Sequence, residues 1–464
     1  MMRRNTGGTR SWQARNALWP RQLRNLALVG TVVLVACGCS EADRESDRAA
    51  NAANPAGRSP GRQGLSQVLR SGSFAAVSAD ESRAAEIGRD VLQNGGNATD
   101  AAVAMYFALA VTLPSAAGLG STGACIVHDD KTRAAEAFVF PPIAAPGPVA
   151  GQTFVVPSSV RAFTLMHIRH GQLRWEQTVA PAERMARFGV PVSRALSRDL
   201  QAGGSLLLAD REARRIFGKG GGVIGEGDTW IQADLAGTLG SIRQRGGGEF
   251  FQGTLGRTLS AQISQVGGNL PLEALRSAVP QAGAPTTEGY GRRRVYVAPS
   301  PAAGAMALAG WKGQAPSGPV PTDSNGFSGL VAVDSKAGAV ACTLSMGQLF
   351  GARVVVPGTG VMLGAMTPVA GSVSPMIVAN PNNGEFGFAG AGGGAPTAAQ
   401  ATGKIAYSVL EQDQTVMSAL GAQRGQGGWV NAIACPSGLR SSPASCQSGI
   451  DPASAGLALI AAIR

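Results

Sequence analysis

The stretch D-S-N-G-F-S-G-L-V-A-V-D, residues 323–334, turns a polar, glycine-broken loop into an apolar strand, with Ser328 at the joint. A hydroxyl in that place has two readings. It is either a structural serine at the start of a strand, or a nucleophile once a base takes its proton. Ser324, four residues earlier, is a second hydroxyl and reads first as structural. Other candidate chemistry is sparse. The chain has three histidines, His128, His167 and His170. His167 and His170 have i,i+3 helical spacing, but no third ligand is near in sequence, and zinc sites use three or four. The pair reads as a solvated helix face. No G-x-S-x-G turn precedes a helix, and G-K-G-G-G at 218–222 lacks the spacing of a phosphate loop. Neither a metal nor a cofactor is expected.

The elements that would position a nucleophile fall into two groups. Ser78–Gln93 opens on an N-cap type and spaces Ala84, Ile87, Val91 and Leu92 on one face, which predicts a helix closed by Gly95-Gly96. A second helix follows Asn97, is apolar on all sides and hence buried, and stops at Pro114. Helical patterns recur near 158–170, 175–188, 193–202, 232–245 and 255–266. From Arg294 onward the runs are short and β-like: R-V-Y-V-A, G-L-V-A-V-D, G-A-V-A-C-T-L-S and P-M-I-V-A, with a hairpin turn at Ser335–Gly338. A last helix is expected at 397–411. Helices around stacked apolar strands predict a layered α/β fold with its sheets covered on both faces.

Bulk properties narrow the function. Charged residues make up 15% of the 464, against about 25% in typical domains. The net charge of +11 includes six arginines before residue 25; removing those six leaves +5, with no basic stripe. Nucleic acid is therefore rejected as a partner. The six arginines lead into a short apolar core and then Cys37, in L-V-A-C, an order that predicts a secretory signal over 1–36 rather than a spanning helix. L-V-A-C resembles the lipobox of bacterial lipoproteins, which makes Cys37 the acylated residue; Cys39 is the alternative. Acyl chains would tether the protein to a membrane. Residues 37–72 read as a flexible tether. Export places Cys435 and Cys446, which flank a Pro/Ser/Gly-rich loop, in an oxidising compartment and predicts a disulfide between them. Cys125 and Cys342 lie in apolar segments and read as buried small hydrophobes.

Several stretches together resemble the gamma-glutamyltranspeptidases of the N-terminal-nucleophile hydrolase superfamily. They are N-G-G-N-A-T-D-A-A-V-A (94–104), G-L-G-S-T-G (118–123), H-G-Q-L-R-W (170–175), E-F-F-Q-G (249–253), V-V-V-P-G-T-G-V (354–361), S-V-S-P-M-I-V (372–378) and G-A-G-G-G (390–394). The resemblance implies a four-layer αββα sandwich, divided into a large-subunit-like region at 73–322 and a small-subunit-like region at 323–464. It also implies a precursor that cuts itself to free an N-terminal hydroxyl residue, whose α-amine acts as base.

Carried onto this chain, the resemblance makes Gly393 and Gly394 the oxyanion donors. Ser345 and Ser372 become substrate-binding hydroxyls. The family's Thr-Thr-His motif is departed from: counted back without gaps from Asp334, the nucleophile falls on Phe327, and a one-residue slip selects Ser328. A bulged insertion selects Ser324. Gly347 and Gly371 replace an Asn and a Ser of the family, and F-V-F-P-P-I-A-A-P lacks the Arg that would face a substrate carboxylate. The groups for a zwitterionic γ-glutamyl head are thus largely gone. The expected activity is amide hydrolysis or acyl transfer through an ester on Ser328, on a small peptide or acyl-amide substrate, in a lipid-anchored protein of the bacterial envelope. The alternatives are an amidase for a less charged substrate and an uncleaved pseudoenzyme serving as a binding or scaffold lipoprotein.

Overall fold

A computed structural model of the protein describes residues 74–314, 326–368, 372–394, 396–423 and 428–463. The signal segment, the tether, Cys37, Cys39, Ser324 and Gly371 lie outside the described residues. In chain order the elements that matter to the site are β1 (Phe74–Ala79), α1 (Ser82–Gln93), α2 (Ala98–Thr112), β2 (Thr122–His128), β3 (Ala135–Phe140), α3 (Ser159–His170), α4 (Trp175–Phe188), α5 (Arg194–Leu207) and α6 (Ala233–Arg245). They continue with β4 (Gln281–Gly283), β5 (Thr286–Tyr290), β6 (Arg293–Val297), α7 (Gly304–Trp311), β7 (Phe327–Val333), β8 (Ala339–Ser345), β9 (Val373–Asn380), β10 (Glu385–Gly394), α8 (Pro396–Glu411), β11 (Gly428–Ala434), β12 (Gln447–Gly449) and β13 (Leu457–Ala462).

Two antiparallel sheets organise these strands, one in the order β13-β1-β7-β8-β2-β3-β4 and the other β12-β11-β10-β9-β6-β5. Strand side chains alternate between faces, so each sheet contributes to two cores. Val77, Leu330, Ala332 and Leu344 meet the helices of the first outer layer. Ala76, Val331, Val333 and Ala341 meet Ile377, Ala389 and Ile433 between the sheets. Met376, Val378 and Phe388 pack outward on α7 and α8. This is the expected αββα layering.

Helix α2 forms as its composition predicts. All fifteen of its residues are buried, and its first turn is held by a capping box in which the Asn97 side chain accepts from Asp100 N and Asp100 accepts from Asn97 N. One expected boundary differs. Ser78 is the fifth residue of β1, and α1 starts at Ser82 with Glu81 as its cap, the Glu81 carboxylate accepting from Ala84 N. An N-cap residue type is a weak signal beside an apolar β run that can pair on both sides, as β1 does with β7 and β13.

The cysteines bring a correction. Cys125 and Cys342 are not free buried thiols. They are directly opposite in the β2–β8 register, their Cα atoms are 4.1 Å apart, and they form a disulfide. A separation of 217 residues hid that pairing from local sequence reading. A second disulfide joins Cys435 and Cys446.

The far end of β7 is fixed by Asp334. Its buried carboxylate accepts from Lys336 N at 2.9 Å and Gly338 N at 3.0 Å within the β7–β8 turn, and from Ala98 N at 3.0 Å at the start of α2. Burial pushes the Asp334 carboxyl upward, and these three N–H donors pull it back. Asp334→Ala strands three backbone donors, and we expect a loss of about 3 kcal/mol or more, read from the urea midpoint by circular dichroism. A midpoint equal to wild type would show that the tie contributes nothing.

Candidate active site

Strand β7 starts abruptly. Gly326, just before it, has φ +98°, and a Cβ there would lie 2.2 Å from the Gln348 carbonyl carbon, so only glycine fits. From that point the strand alternates. Phe327, Val331 and Val333 point between the sheets, whereas Leu330 and Ala332 point to the helices. Ser328 shares the parity of Leu330, is 1% exposed, and its Oγ has no hydrogen-bond partner among the described residues.

The residues expected to bind substrate gather on the other face, around Phe327. Gly393, from β10, sits so close that a Cβ there would lie 3.3 Å from Phe327 Cβ and 2.6 Å from Thr343 Cγ2. Gly394 follows at the end of the same strand. Ser345 is directly opposite Phe327 in the β7–β8 register, is fully buried, and its Oγ accepts from Gly347 N at 3.0 Å. Ser372, half-buried, precedes Val373, which packs with Phe327, Ala124, Val139 and Ala298 in an apolar cluster. So the structure brings Ser345, Gly393 and Gly394 together and places Phe327, not Ser328, on their side. A one-residue slip along a strand changes face. That is the physical content of the departure at this motif.

Around the start of β7 lies a polar group that sequence reading missed. Asp80, immediately after β1, accepts from Gly329 N at 2.7 Å and from Asn431 Nδ2 at 2.9 Å. The same Asn431 amide donates to Gly329 O at 2.9 Å, so both backbone groups of the residue after Ser328 are clamped. Burial drives the Asp80 carboxyl up from its ordinary value; Gly329 N–H, Asn431, the nearby Ser328 hydroxyl and Arg198 oppose that rise. The Ser328 hydroxyl is beside Asp80 without the alignment of a formed hydrogen bond. Arg198 and Asp199 of α5 face the same place across a cavity of about 10 Å³, room for one water at most. Arg198 pairs with Asp199 and lies 4.9 Å from the Trp429 ring centroid, and Asp199 accepts from Ser115 Oγ at 2.6 Å. Burial raises the Asp199 carboxyl as well. The sequence signal for this group was slight: Asn431 is the one amide within the apolar run W-V-N-A-I-A.

The histidines depart from the expected solvated face. His170 Nε2 is 2.8 Å from Glu136, His167 Nε2 is 3.5 Å from Asp100, and both rings are largely buried. Among the described residues no cluster of three or more His, Cys, Asp or Glu could hold a metal. His128 is buried between the sheets with both ring nitrogens unpartnered.

The two-sheet core between helical layers is the fold of N-terminal-nucleophile hydrolases: cephalosporin acylase from Bacillus halodurans superposes with a TM-score of 0.69 at 19% identity, over 83% of this chain and 96% of that one. Residues 84–313 match the gamma-glutamyltranspeptidase family model. The match ends before β7. The glutathione hydrolase proenzyme of Escherichia coli (strain K12) is 32% identical over 250 residues, 50% of this chain and 43% of that protein. That of Bacillus subtilis (strain 168) is 30% identical over 251 residues, 48% of this chain and 41% of the relative. These alignments span less than half the length of the curated relatives.

His128 generates a pH prediction. Burial holds its imidazole below the ordinary value, so the unfolded chain takes up the proton first. Its contribution to stability is complete above about pH 6.5 and is lost as pH falls through the folded value. His128→Leu should flatten urea-unfolding stability between pH 7.5 and 5 by up to about 1.4 kcal/mol per pH unit. An unchanged slope would contradict a buried neutral ring.

Proposed function

We propose that this protein is a self-processing amide hydrolase or acyl transferase of the gamma-glutamyltranspeptidase kind, with Ser328 as its nucleophile. The observation that carries this reading is the start of β7 seated against Gly393 within an αββα fold. In the uncut chain Ser328 is a latent nucleophile, turned away from the glycine pair and closed off from solvent. Cleavage of the Phe327–Ser328 bond would make it a chain terminus, free of the upstream residue that fixes its direction.

The cut itself needs a base, and Asp80 is beside the hydroxyl. Ser328 Oγ adds to the Phe327 carbonyl carbon as its proton passes to Asp80. The C–N bond then breaks, nitrogen takes the proton, and an ester remains. Water hydrolyses that ester to a Phe327 carboxylate and a Ser328 residue with free hydroxyl and amine. The elevated carboxyl of Asp80 suits this task, because a base of higher pKa accepts a proton more readily. In turnover the new α-amine of Ser328 replaces Asp80 as base, and the Gly393-Gly394 backbone holds the oxyanion. The substrate is a small peptide or acyl amide. Export to the bacterial envelope, with Cys37 as the lipid-bearing residue, is supported by the two disulfides, which persist in oxidising compartments.

A second reading, an uncleaved protein with a binding or scaffold role, is favoured by one observation: Phe327 occupies the cradle side. Electrophoresis separates the two. Cys125 is upstream of the cut and Cys342 downstream, so the processed protein should run as one band without reductant and as two with it. The smaller fragment should begin at Ser328. Ser328→Ala should remain whole, and Asp80→Asn should slow cleavage about 100-fold. Wild-type protein that stays a single reduced chain after long incubation supports the second reading. Unaltered cleavage in Asp80→Asn removes Asp80 from the mechanism and leaves the rest.

A further inference from the structure

Three aromatic rings meet beside β5, the edge strand of the second sheet. Tyr290 ends β5, Trp311 ends α7 and Tyr407 lies within α8. Ring centroids are 5.3 Å apart for Tyr290 and Trp311, 5.5 Å for Trp311 and Tyr407 and 6.4 Å for Tyr290 and Tyr407, each pair edge to face. Such contacts hold the rings in fixed positions. Together with Glu288, Gly289, Lys312 and Gly313 they line a cavity of about 370 Å³, within the range of small-molecule sites. Glu288 and Tyr290 are two residues apart in β5 and so share a face. The Glu288 carboxylate pairs with Lys312 at 3.1 Å. Trp311 is 3% exposed, yet its indole N–H donates to no described residue. Those of Trp175 and Trp230 each donate to a backbone carbonyl, as buried indoles ordinarily do. The Trp311 nitrogen is not sealed within the protein, so its partner can come from the cavity.

We propose that this cavity binds a neutral saccharide, with a pyranose ring laid against Tyr290. The charges in its wall are paired with each other, so neither an anion nor a cation is selected. The same pair sets an acceptor beside a donor, and a sugar hydroxyl, which both donates and accepts, satisfies the two together. The Trp311 N–H is a further donor to such a hydroxyl. Tyr290 is 39% exposed, and the C–H face of a pyranose removes that apolar ring surface from water. A quaternary ammonium needs ring faces that converge on it, whereas here ring edges already cover ring faces. Tyr290 also borders a second cavity of about 420 Å³, where Asn380, Asn383, Ser437 and Ser441 offer amides and hydroxyls to the next sugar of a chain. Its charged members balance: Arg293 pairs with Glu411, and Arg292 is matched by Glu385, which accepts from Arg440 N and Ser441 N. Neither cavity shares a lining residue with the one beside Asp80, so the proposal does not depend on Ser328 or on cleavage.

Calorimetric titration of the purified protein, cut or whole, with cellotetraose, maltotetraose and chitotetraose tests the site. At least one of these sugars should bind with a Kd below about 1 mM. Tyr290→Ala should weaken that binding by about tenfold, whereas Tyr290→Phe, which keeps the ring, should bind as wild type does. Trp311→Phe removes the N–H and keeps a ring, and should weaken binding by about fivefold. Circular dichroism establishes that each variant is folded. Should an aromatic variant fail to fold, Glu288→Ala on the edge strand gives the same readout, again a loss of about fivefold. No binding of any of the three sugars, or binding unchanged in folded Tyr290→Ala, overturns the site. Tighter binding of tetramethylammonium than of every sugar overturns the ligand class.

Discussion

The two-residue period of β7 is the constraint on which the rest depends. A strand paired on both sides cannot rotate one residue independently of its neighbours, so its register decides which side chain meets which layer. Here β1 and β8 fix that register along the strand, Asp334 fixes its far end, and Asp80 with Asn431 clamps Gly329 near its start. Under those restraints Phe327 must face Gly393 and Ser328 must face the helices. The chain can exchange those directions only by ceasing to be continuous at that point.

The start of this strand gathers two kinds of group. Asp80, Arg198, Asp199 and Phe327 line a space that admits little more than a water. Ser345, Gly393 and an apolar cluster of Ala124, Val139, Ala298 and Val373 adjoin Phe327 as well. The cross-strand disulfide between β2 and β8 lies in the same sheet and would keep the two pieces of a cut chain in register.

Much of the layering was legible in the sequence, because it follows from periodicity. The all-apolar run after Asn97 could only be a buried helix, and the short β runs after Arg294 had the period of sheet strands. The pairing of Cys125 with Cys342 was not legible, since register between strands more than two hundred residues apart leaves no local trace. The polar group around Asp80 was hidden for a similar reason: Asp80, Arg198, Asn431 and Ser454 meet only when four distant segments close on one another. Ser328 was the sharpest case. The face it occupies depends on a single residue of register, which a motif departed from at this point does not specify. The histidines erred in the opposite direction, because i,i+3 spacing says which residues share a face and not whether that face is covered.

The account's central claim is that cutting the chain exchanges the occupant of the glycine cradle. An experimental structure of the processed protein measures this directly, through the position of Ser328 Oγ and of the Phe327 ring. The account predicts the hydroxyl turned toward the Gly393 and Gly394 backbone and the ring withdrawn from among Ala124, Val139, Ala298 and Val373. A processed chain with Ser328 still against Asp80 and Phe327 still seated would contradict it.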